Sequence, residues 1–384
     1  MKCPRCNFER EAPFKFCPMC GTRCIELKQE NDAEPVINQT PLNEEPVQQA
    51  TTQTVTFVRR IPYGLTENTY NERKEIRKAS RISSTAFIFL SFFGSIAPYI
   101  VFYTLLALGY TQQNALAFLD DPFFQQYFQI AASSFMFIVP FTFIFKLSGY
   151  KLSKIASFGL PKTRAWFPII LMGIGFCAFS NIAMGFASSI FEGLGINYEV
   201  DFGENPQGIL GITLSVIATA IVPALVEEFA CRGLVLGALR KYGDGFAVMV
   251  SSILFGFIHG NFQQIPFAFM VGLILGFVTV KCNSIWPAVF IHFYNNLSSV
   301  IFDYVFADMS VMLQNVIYTI YLVICLFIGF IGVLLLRKNT EIFKFEPSTT
   351  EASEKQKYNW FFTTEMAIFL VVICILDSLK YFVK

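Results

Sequence analysis

Residues 211–238 read GITLSVIATAIVPALVEEFACRGLVLGA, an apolar stretch whose only charged residues are Glu227, Glu228 and Arg232. The stretch is longer than the roughly 20 residues that a helix needs to cross a bilayer. Charged side chains are costly inside a membrane, and those that occur there usually have a function. The stretch therefore predicts a transmembrane helix that carries part of a functional site.

The composition of the whole chain is that of a membrane protein. Of its 384 residues, 54% are hydrophobic and 15% are charged, and the mean hydropathy is +0.51. The sequence therefore predicts an all-α polytopic membrane protein, a bundle of about eight or nine transmembrane helices. The nine candidate spans are residues 84–108, 125–147, 166–191, 211–238, 244–262, 264–281, 285–305, 314–336 and 361–382.

Basic and acidic residues alternate between successive connections. The basic set is Arg73, Lys74, Arg77, Lys78, Arg81, Lys146, Lys151, Lys154, Lys162, Arg164, Arg240, Lys241, Lys281, Arg337 and Lys338. The acidic set is Asp120, Asp121, Glu192, Glu199, Asp201, Glu204, Asp303 and Asp308. By the positive-inside rule the basic connections and the N-terminus are cytoplasmic, in the cell membrane, and the C-terminus is outside. Lys380 and Lys384 fit this rule poorly, and no basic-aromatic patch suggests a nucleic-acid partner.

The N-terminal segment has four cysteines at metal-binding spacing. Cys3-x-x-Cys6 and Cys17-x-x-Cys20 are two pairs of the kind that form a tetrahedral zinc site. A redox pair or a disulfide cluster is the alternative, but a reducing cytosol favours zinc. Residues 1–24 are therefore predicted to be a zinc ribbon with a structural zinc ion, and nothing in them identifies a partner.

Three further regions follow the ribbon. Residues 25–80 are a disordered tether rich in Asn, Gln, Glu, Thr and Pro, followed by a basic segment before the membrane. Residues 81–305 form the core that holds the candidate site, and residues 306–384 add C-terminal transmembrane helices. Residues 345–358 are predicted to be a polar cytoplasmic loop.

The candidate site begins with the acidic pair of the fourth span. Glu228 and Arg232 are four residues apart, so they share a helix face and can neutralise one another. Glu227 lies about 100° away around the helix and can point elsewhere. The alternative is that both glutamates simply form a salt-bridged clamp on Arg232.

The only two histidines of the chain lie in later apolar stretches. His259 follows Phe255 by one helical turn, and His292 precedes Asn296 by one turn. Either histidine alone is more simply explained by an interhelical hydrogen bond. However, the three side chains are predicted to lie at roughly the same depth in the membrane. At the rise of an α-helix, Glu227 is about 20 Å from Arg240, His259 about 27 Å from Lys241 and His292 about 17 Å from Lys281.

This set of groups suits hydrolysis. Glu227 and His259 can activate a water molecule, while His292 and Asn296 can hydrogen-bond a developing oxyanion. One carboxylate and two histidines can also hold a catalytic zinc ion, so the need for a metal stays open.

The three motifs resemble those of a known family. Glu-Glu-x-x-x-Arg at Glu227–Arg232, Phe-x-x-x-His ending at His259 and His-x-x-x-Asn ending at Asn296 are similar to the signature of the CAAX protease and bacteriocin-processing (CPBP) intramembrane proteases, over residues 80–305. The resemblance implies that Glu227 and His259 activate water, that His292 and Asn296 form the oxyanion hole, and that Glu228 and Arg232 support them. Members of the family have been described both as metalloproteases and as metal-independent glutamate proteases.

The predicted function is therefore an intramembrane endopeptidase acting on a peptide or membrane-protein substrate in the lipid bilayer. Eukaryotic members of the family cleave prenylated CAAX peptides, whereas bacterial relatives are associated with peptide maturation, bacteriocin immunity and membrane-protein processing. Two alternatives use the same residues. One is a catalytically silent scaffold or immunity protein that binds a peptide or membrane partner, and the other is a transporter with a proton relay.

Overall fold

The computed structural model describes residues 65–194, 204–346 and 348–379. The predicted zinc ribbon, with Cys3, Cys6, Cys17 and Cys20, and most of the tether lie outside these residues. The chain divides into two units, residues 1–72 and 73–384. The helical unit 73–384 contains the candidate site and is described below.

All regular secondary structure in the described residues is helical, which confirms the predicted fold class. The helices are α1 (Glu67–Ala107), α2 (Gln112–Leu119), α3 (Pro122–Leu147), α4 (Leu152–Ile155), α5 (Trp166–Gly193), α6 (Gly208–Tyr242), α7 (Asp244–Phe257), α8 (Gln264–Cys282), α9 (Trp286–Val305), α10 (Val311–Leu336), α11 (Glu354–Phe362) and α12 (Glu365–Leu379). A short 3₁₀ turn covers Thr340–Phe343.

Six described helices, α1, α3, α5, α6, α8 and α10, are long and apolar enough to cross a membrane, fewer than the eight or nine predicted. The pair α11 and α12 adds a seventh span if its two parts, bent by 71°, count as one. The predicted spans 244–262 and 285–305 are present as α7 and α9 but do not qualify. Helix α7 has only 14 residues, and α9 carries polar residues that include His292 and Asn296.

Helix α6 is continuous but irregular, since its Val216–Ile221 and Phe229–Leu236 segments are π-helical. In the first segment the Val222 N–H bonds to Ile217, so the Ala218 carbonyl loses its usual partner. Pro223 has no N–H for the Thr219 carbonyl four residues earlier. Two side chains from other helices bond these carbonyls: Gln129 Nε2 donates to Ala218 over 3.3 Å, and Asn296 Nδ2 donates to Thr219 over 3.0 Å.

A shared hydrophobic core sets the position of α9. It is formed by buried side chains of α5, α8, α9 and α10, among them Ile174, Leu275, Ile291 and Cys325. Helices α5 and α10 approach so closely that a Cβ atom on Gly329 would lie 2.5 Å from the Cα atom of Gly175. Small residues permit such contacts between membrane helices. His292 follows Ile291 directly, so this packing positions the part of α9 that carries it.

The basic connections of the helical unit contact one another. The Lys162 N–H donates to the Cys282 carbonyl over 3.0 Å, and Arg240 Nη1 donates to Asn283 Oδ1 over 2.6 Å. Lys241 lies 4.0 Å from Glu75. These contacts place the basic ends of several helices together, as the charge alternation requires. Which side of the membrane they face stays a prediction.

The predicted loop 345–358 is partly helical, because α11 begins at Glu354 with a capping box formed by Ser353 and Gln356. Lys357 is fully buried, and its Nζ donates to the Tyr242 carbonyl over 2.8 Å. The polar composition of this segment suggested a solvated loop, but one face of α11 packs on the core through Trp360 and Phe361. The predicted span 361–382 accordingly begins close to the bend between α11 and α12.

Candidate active site

The centre of the site is a buried charged cluster between α6 and α9. Arg232 Nη1 donates to Glu228 Oε1 over 2.9 Å, and the same oxygen lies 3.1 Å from Nδ1 of His292. Arg232 Nη2 donates to the Gly272 carbonyl of α8 over 3.2 Å. All three charged or polar side chains are buried. The predicted pairing of Glu228 with Arg232 is therefore present, and His292 shares it.

Glu227 stands apart from this pair. Its Oε2 atom lies 3.9 Å from Nε2 of His292 and accepts no hydrogen bond. Its side chain keeps 16% of its surface exposed, whereas that of Glu228 is fully buried. The two neighbouring carboxylates thus approach the two nitrogens of one imidazole ring, but only Glu228 is also paired with Arg232.

His259 lies just beyond the end of α7, and its Nδ1 atom is 3.0 Å from the Phe255 carbonyl. A carbonyl oxygen can only accept, so Nδ1 carries the proton and Nε2 of the neutral ring is left as an acceptor. Glu227 and His259 make no hydrogen bond or ion pair with each other in the described part of the chain. The role predicted for the two groups, joint activation of a water molecule, stays a prediction.

Phe255 links His259 to the charged cluster. Its ring meets the His259 ring edge-on at 5.2 Å and the His292 ring edge-on at 5.6 Å, measured between centroids. The Arg232 guanidinium lies over the same ring at 4.3 Å, a cation–π distance. The sequence pattern contained Phe255 only as the start of a motif. Its contact with three candidate residues is a finding of the structure.

Asn296 lies one turn beyond His292 on α9. One of its amide hydrogens is used by the Thr219 carbonyl, and its Oδ1 accepts from Asn295 Nδ2 over 3.2 Å. The second N–H of its amide has no partner among the described residues. Pro223 is the sequence signal for this arrangement, since it leaves the Thr219 carbonyl without its usual partner.

The described residues include no group of three or more His, Cys, Asp or Glu side chains arranged to hold a metal ion. Glu227 and His292 approach each other to 3.9 Å, and the Phe255 ring lies between His292 and His259.

Known proteins are similar to the part of the chain that contains the candidate site. Residues 209–298 match the family described as type II CAAX prenyl endopeptidase Rce1-like, and this range includes all six candidate residues. The segment resembles an Rce1-like CAAX protease domain. It is similar, moreover, to the "Putative membrane peptidase YdiL" of Bacillus subtilis (strain 168), at 30% identity over 138 residues.

That alignment covers 34% of this chain and 55% of the relative, so the chain spans about half the length of the curated protein it matches. No solved structure matches the chain. The two matches support the resemblance to the CPBP family and a membrane protease. They do not establish the type of catalysis or the roles of individual residues.

Proposed function

We propose that the chain is an intramembrane endopeptidase in which Glu227 and His259 activate water while His292 and Asn296 stabilise the oxyanion. The observation that supports it most directly is the position of Glu227 Oε2, which has no hydrogen-bond partner and lies 3.9 Å from His292 Nε2. A base and an oxyanion donor at that separation can face the attacking water and the carbonyl oxygen of one peptide bond.

The first step forms the tetrahedral intermediate. Glu227 accepts a proton from water as the water oxygen attacks the carbonyl carbon, and the Nε2 lone pair of His259 assists in orienting that water. The carbonyl oxygen takes the negative charge. Collapse of the intermediate then breaks the C–N bond, and the proton held by Glu227 passes to the leaving amine.

The oxyanion requires donors, and the hydrogen bonds of the site restrict which are present. Because His292 Nδ1 faces the Glu228 carboxylate, Nε2 carries a hydrogen only when the ring holds both protons. Arg232 holds Glu228 in place beside that ring. The second amide hydrogen of Asn296 supplies another donor.

The decisive experiment compares two carboxylate variants in proteoliposomes presented with a reporter peptide library. Glu227→Gln keeps the size of the side chain but removes the base, so the cleavage rate should fall about 10²–10⁴-fold. The matched control is Asp303→Asn, which removes a carboxylate from α9 about three turns beyond His292. The control should cleave at the wild-type rate.

Undiminished cleavage by well-folded Glu227→Gln protein would overturn the proposed mechanism. No cleavage by the wild type together with an unchanged cellular phenotype of Glu227→Gln would favour a scaffold that binds a peptide or membrane partner. Absence of pH-driven flux in the same vesicles would exclude a transporter.

Measuring the zinc content distinguishes a structural zinc ion in the predicted ribbon from a catalytic metal ion at the candidate site. The full chain should bind about one zinc ion, through Cys3, Cys6, Cys17 and Cys20. Cys3→Ser/Cys6→Ser should lose that zinc and still cleave. Zinc that survives in this variant but is lost with His259→Ala would instead indicate a catalytic metal.

A further inference from the structure

A second, polar pocket lies at the basic end of the helical unit, away from the charged cluster of the site. Its volume is about 640 Å³, within the range of ordinary ligand pockets. The charged side chains that line it are Lys154, Lys162, Arg240, Lys241, Asp244 and Glu346. The basic groups outnumber the acidic ones by two, so the pocket favours an anion.

The excess positive charge of this pocket is carried by two lysine side chains that form no ion pair with the described part of the protein. Arg240 is already bonded to Asp244 over 2.9 Å and to Asn283. Lys241 has Glu75 at 4.0 Å. Lys154 and Lys162 are exposed and make no side-chain hydrogen bond or ion pair with any described residue. Two ammonium groups are thus available to a ligand.

The wall of the pocket is held rigidly to the start of α9. The Ile285 N–H donates to the Ser157 carbonyl over 3.0 Å, and Trp286 Nε1 donates to the Phe158 carbonyl over 2.8 Å. Ser284 Oγ donates to the Gly159 carbonyl over 2.6 Å. These bonds fix residues 157–159 in place before any ligand arrives.

An apolar cleft adjoins this pocket. It has a volume of about 270 Å³ and is lined by Phe158, Trp286 and aliphatic or aromatic residues of α3, α6 and α9. Phe158 lines both cavities. A single ligand with a charged head and an apolar tail can therefore occupy both, its head against the lysines and its tail against Phe158 and Trp286.

We propose that the two cavities together bind one anionic phospholipid, with its phosphate headgroup at Lys154 and Lys162 and an acyl chain in the cleft. Basic pockets between membrane helices at the cytoplasmic surface recognise such headgroups. The apolar half of the site favours a lipid over a free phosphate ion. The cleft is also lined by Leu225, Val226 and Phe229, which flank the glutamate pair, so the lipid would lie beside the helix that carries the proposed base.

Tryptophan fluorescence tests the proposal on the full chain. Trp286 lines the cleft, and quenching by brominated acyl chains reports lipid bound there. The measurement uses a Trp166→Phe background, because Trp166 is as exposed as Trp286, at 43%, but does not line the cleft and would add quenching from lipid elsewhere. Relative binding of brominated phosphatidylglycerol and brominated phosphatidylcholine with identical chains gives the headgroup preference.

The test variant is Lys154→Gln/Lys162→Gln, and the matched control is Lys146→Gln/Lys338→Gln. All four lysines are exposed, and the control removes the same charge from basic connections outside the pocket. Each lysine near an anionic headgroup contributes roughly a fivefold change in affinity. The preference for phosphatidylglycerol should therefore fall about 25-fold in the test variant and stay at the wild-type value in the control.

Equal preference in the wild type and the test variant would overturn the proposal, as would an equal loss in the control, which would indicate general surface charge. Inorganic phosphate, added at constant ionic strength, should leave the preference unchanged. A preference abolished by inorganic phosphate would show that the pocket takes a free anion and no lipid.

Discussion

Glu227 and Glu228 are adjacent in the sequence and have different surroundings in the fold. Glu228 is fully buried and meets both Arg232 and His292 through a single oxygen atom. Glu227 approaches only the far nitrogen of the same ring and forms no ion pair with Arg232, although each of the two carboxylates keeps one unpartnered oxygen. This asymmetry gives Glu228 a supporting role and leaves Glu227 free to accept a proton in the proposed reaction.

Arg232 is expected to be the residue on which the stability of this cluster depends. Arg232→Met leaves Glu228 buried without its cation and removes the cation–π contact with Phe255. Breaking a buried ion pair from one side costs about 3–5 kcal/mol. The free energy of unfolding, measured by steric trapping in bicelles, should fall by that amount.

The double variant Glu228→Gln/Arg232→Met is the control for this prediction. It removes both charges, so it should be more stable than Arg232→Met alone. Equal losses in the single and double variants would mean that the packing of Arg232, and not its charge, carries the stability.

At the level of elements, the irregular helix α6 determines how the site is assembled. Its first π-helical segment and Pro223 leave two carbonyls free, and side chains of α3 and α9 bond them. Asn296 thereby ties α9 to α6 one turn from His292. The polar residues of α9 lower its mean hydropathy. Helix α9 is therefore not apolar enough to qualify as a membrane span, although it has 20 residues.

The contact between α5 and α10 gives a prediction at this scale. Gly329→Ala places a Cβ atom 2.5 Å from the Cα atom of Gly175, so the two helices must separate. Overpacking of this kind costs about 1–3 kcal/mol. We expect a lower midpoint of thermal unfolding in detergent.

Gly185→Ala is the matched substitution, on α5, where an added Cβ meets nothing within 4 Å. Alanine has the higher helix propensity, so this variant should be unchanged or more stable by up to about 1 kcal/mol. A similar loss in both variants would show that the close approach at Gly329 is not the cause.

For the whole molecule, the clustering of the basic ends predicts the membrane topology. Contacts such as Arg240 with Asn283 and Lys162 with Cys282 bring the loops after α3, α6 and α8 together. The positive-inside rule assigns this end to the cytoplasm. Fusions of green fluorescent protein after residues 162 and 338 should therefore fluoresce, and a fusion after residue 308 should not.

Alkaline phosphatase fusions at the same three positions supply the complementary readout. They should be active only after residue 308, because the enzyme folds only outside the cytoplasm. Activity after residue 162 would reverse the orientation and would place the proposed lipid pocket in the opposite leaflet.

The sequence alone predicted the helical class and the positions of most helices, because long apolar stretches have few alternatives in a bilayer. It also predicted the Glu228–Arg232 pair, since residues four apart on a helix must meet. The roles assigned to Glu227, His259, His292 and Asn296 stay predictions until variants are measured.

The tertiary structure decided the remaining features, because they depend on contacts between residues far apart in the chain. It placed His292 on Glu228, put the Phe255 ring between the two histidines and used Asn296 to bond the Thr219 carbonyl. It also buried Lys357 and made α11 helical where composition suggested a loop. Periodicity specifies which face a side chain occupies on its own helix, whereas the partner across the interface is fixed only when the helices pack.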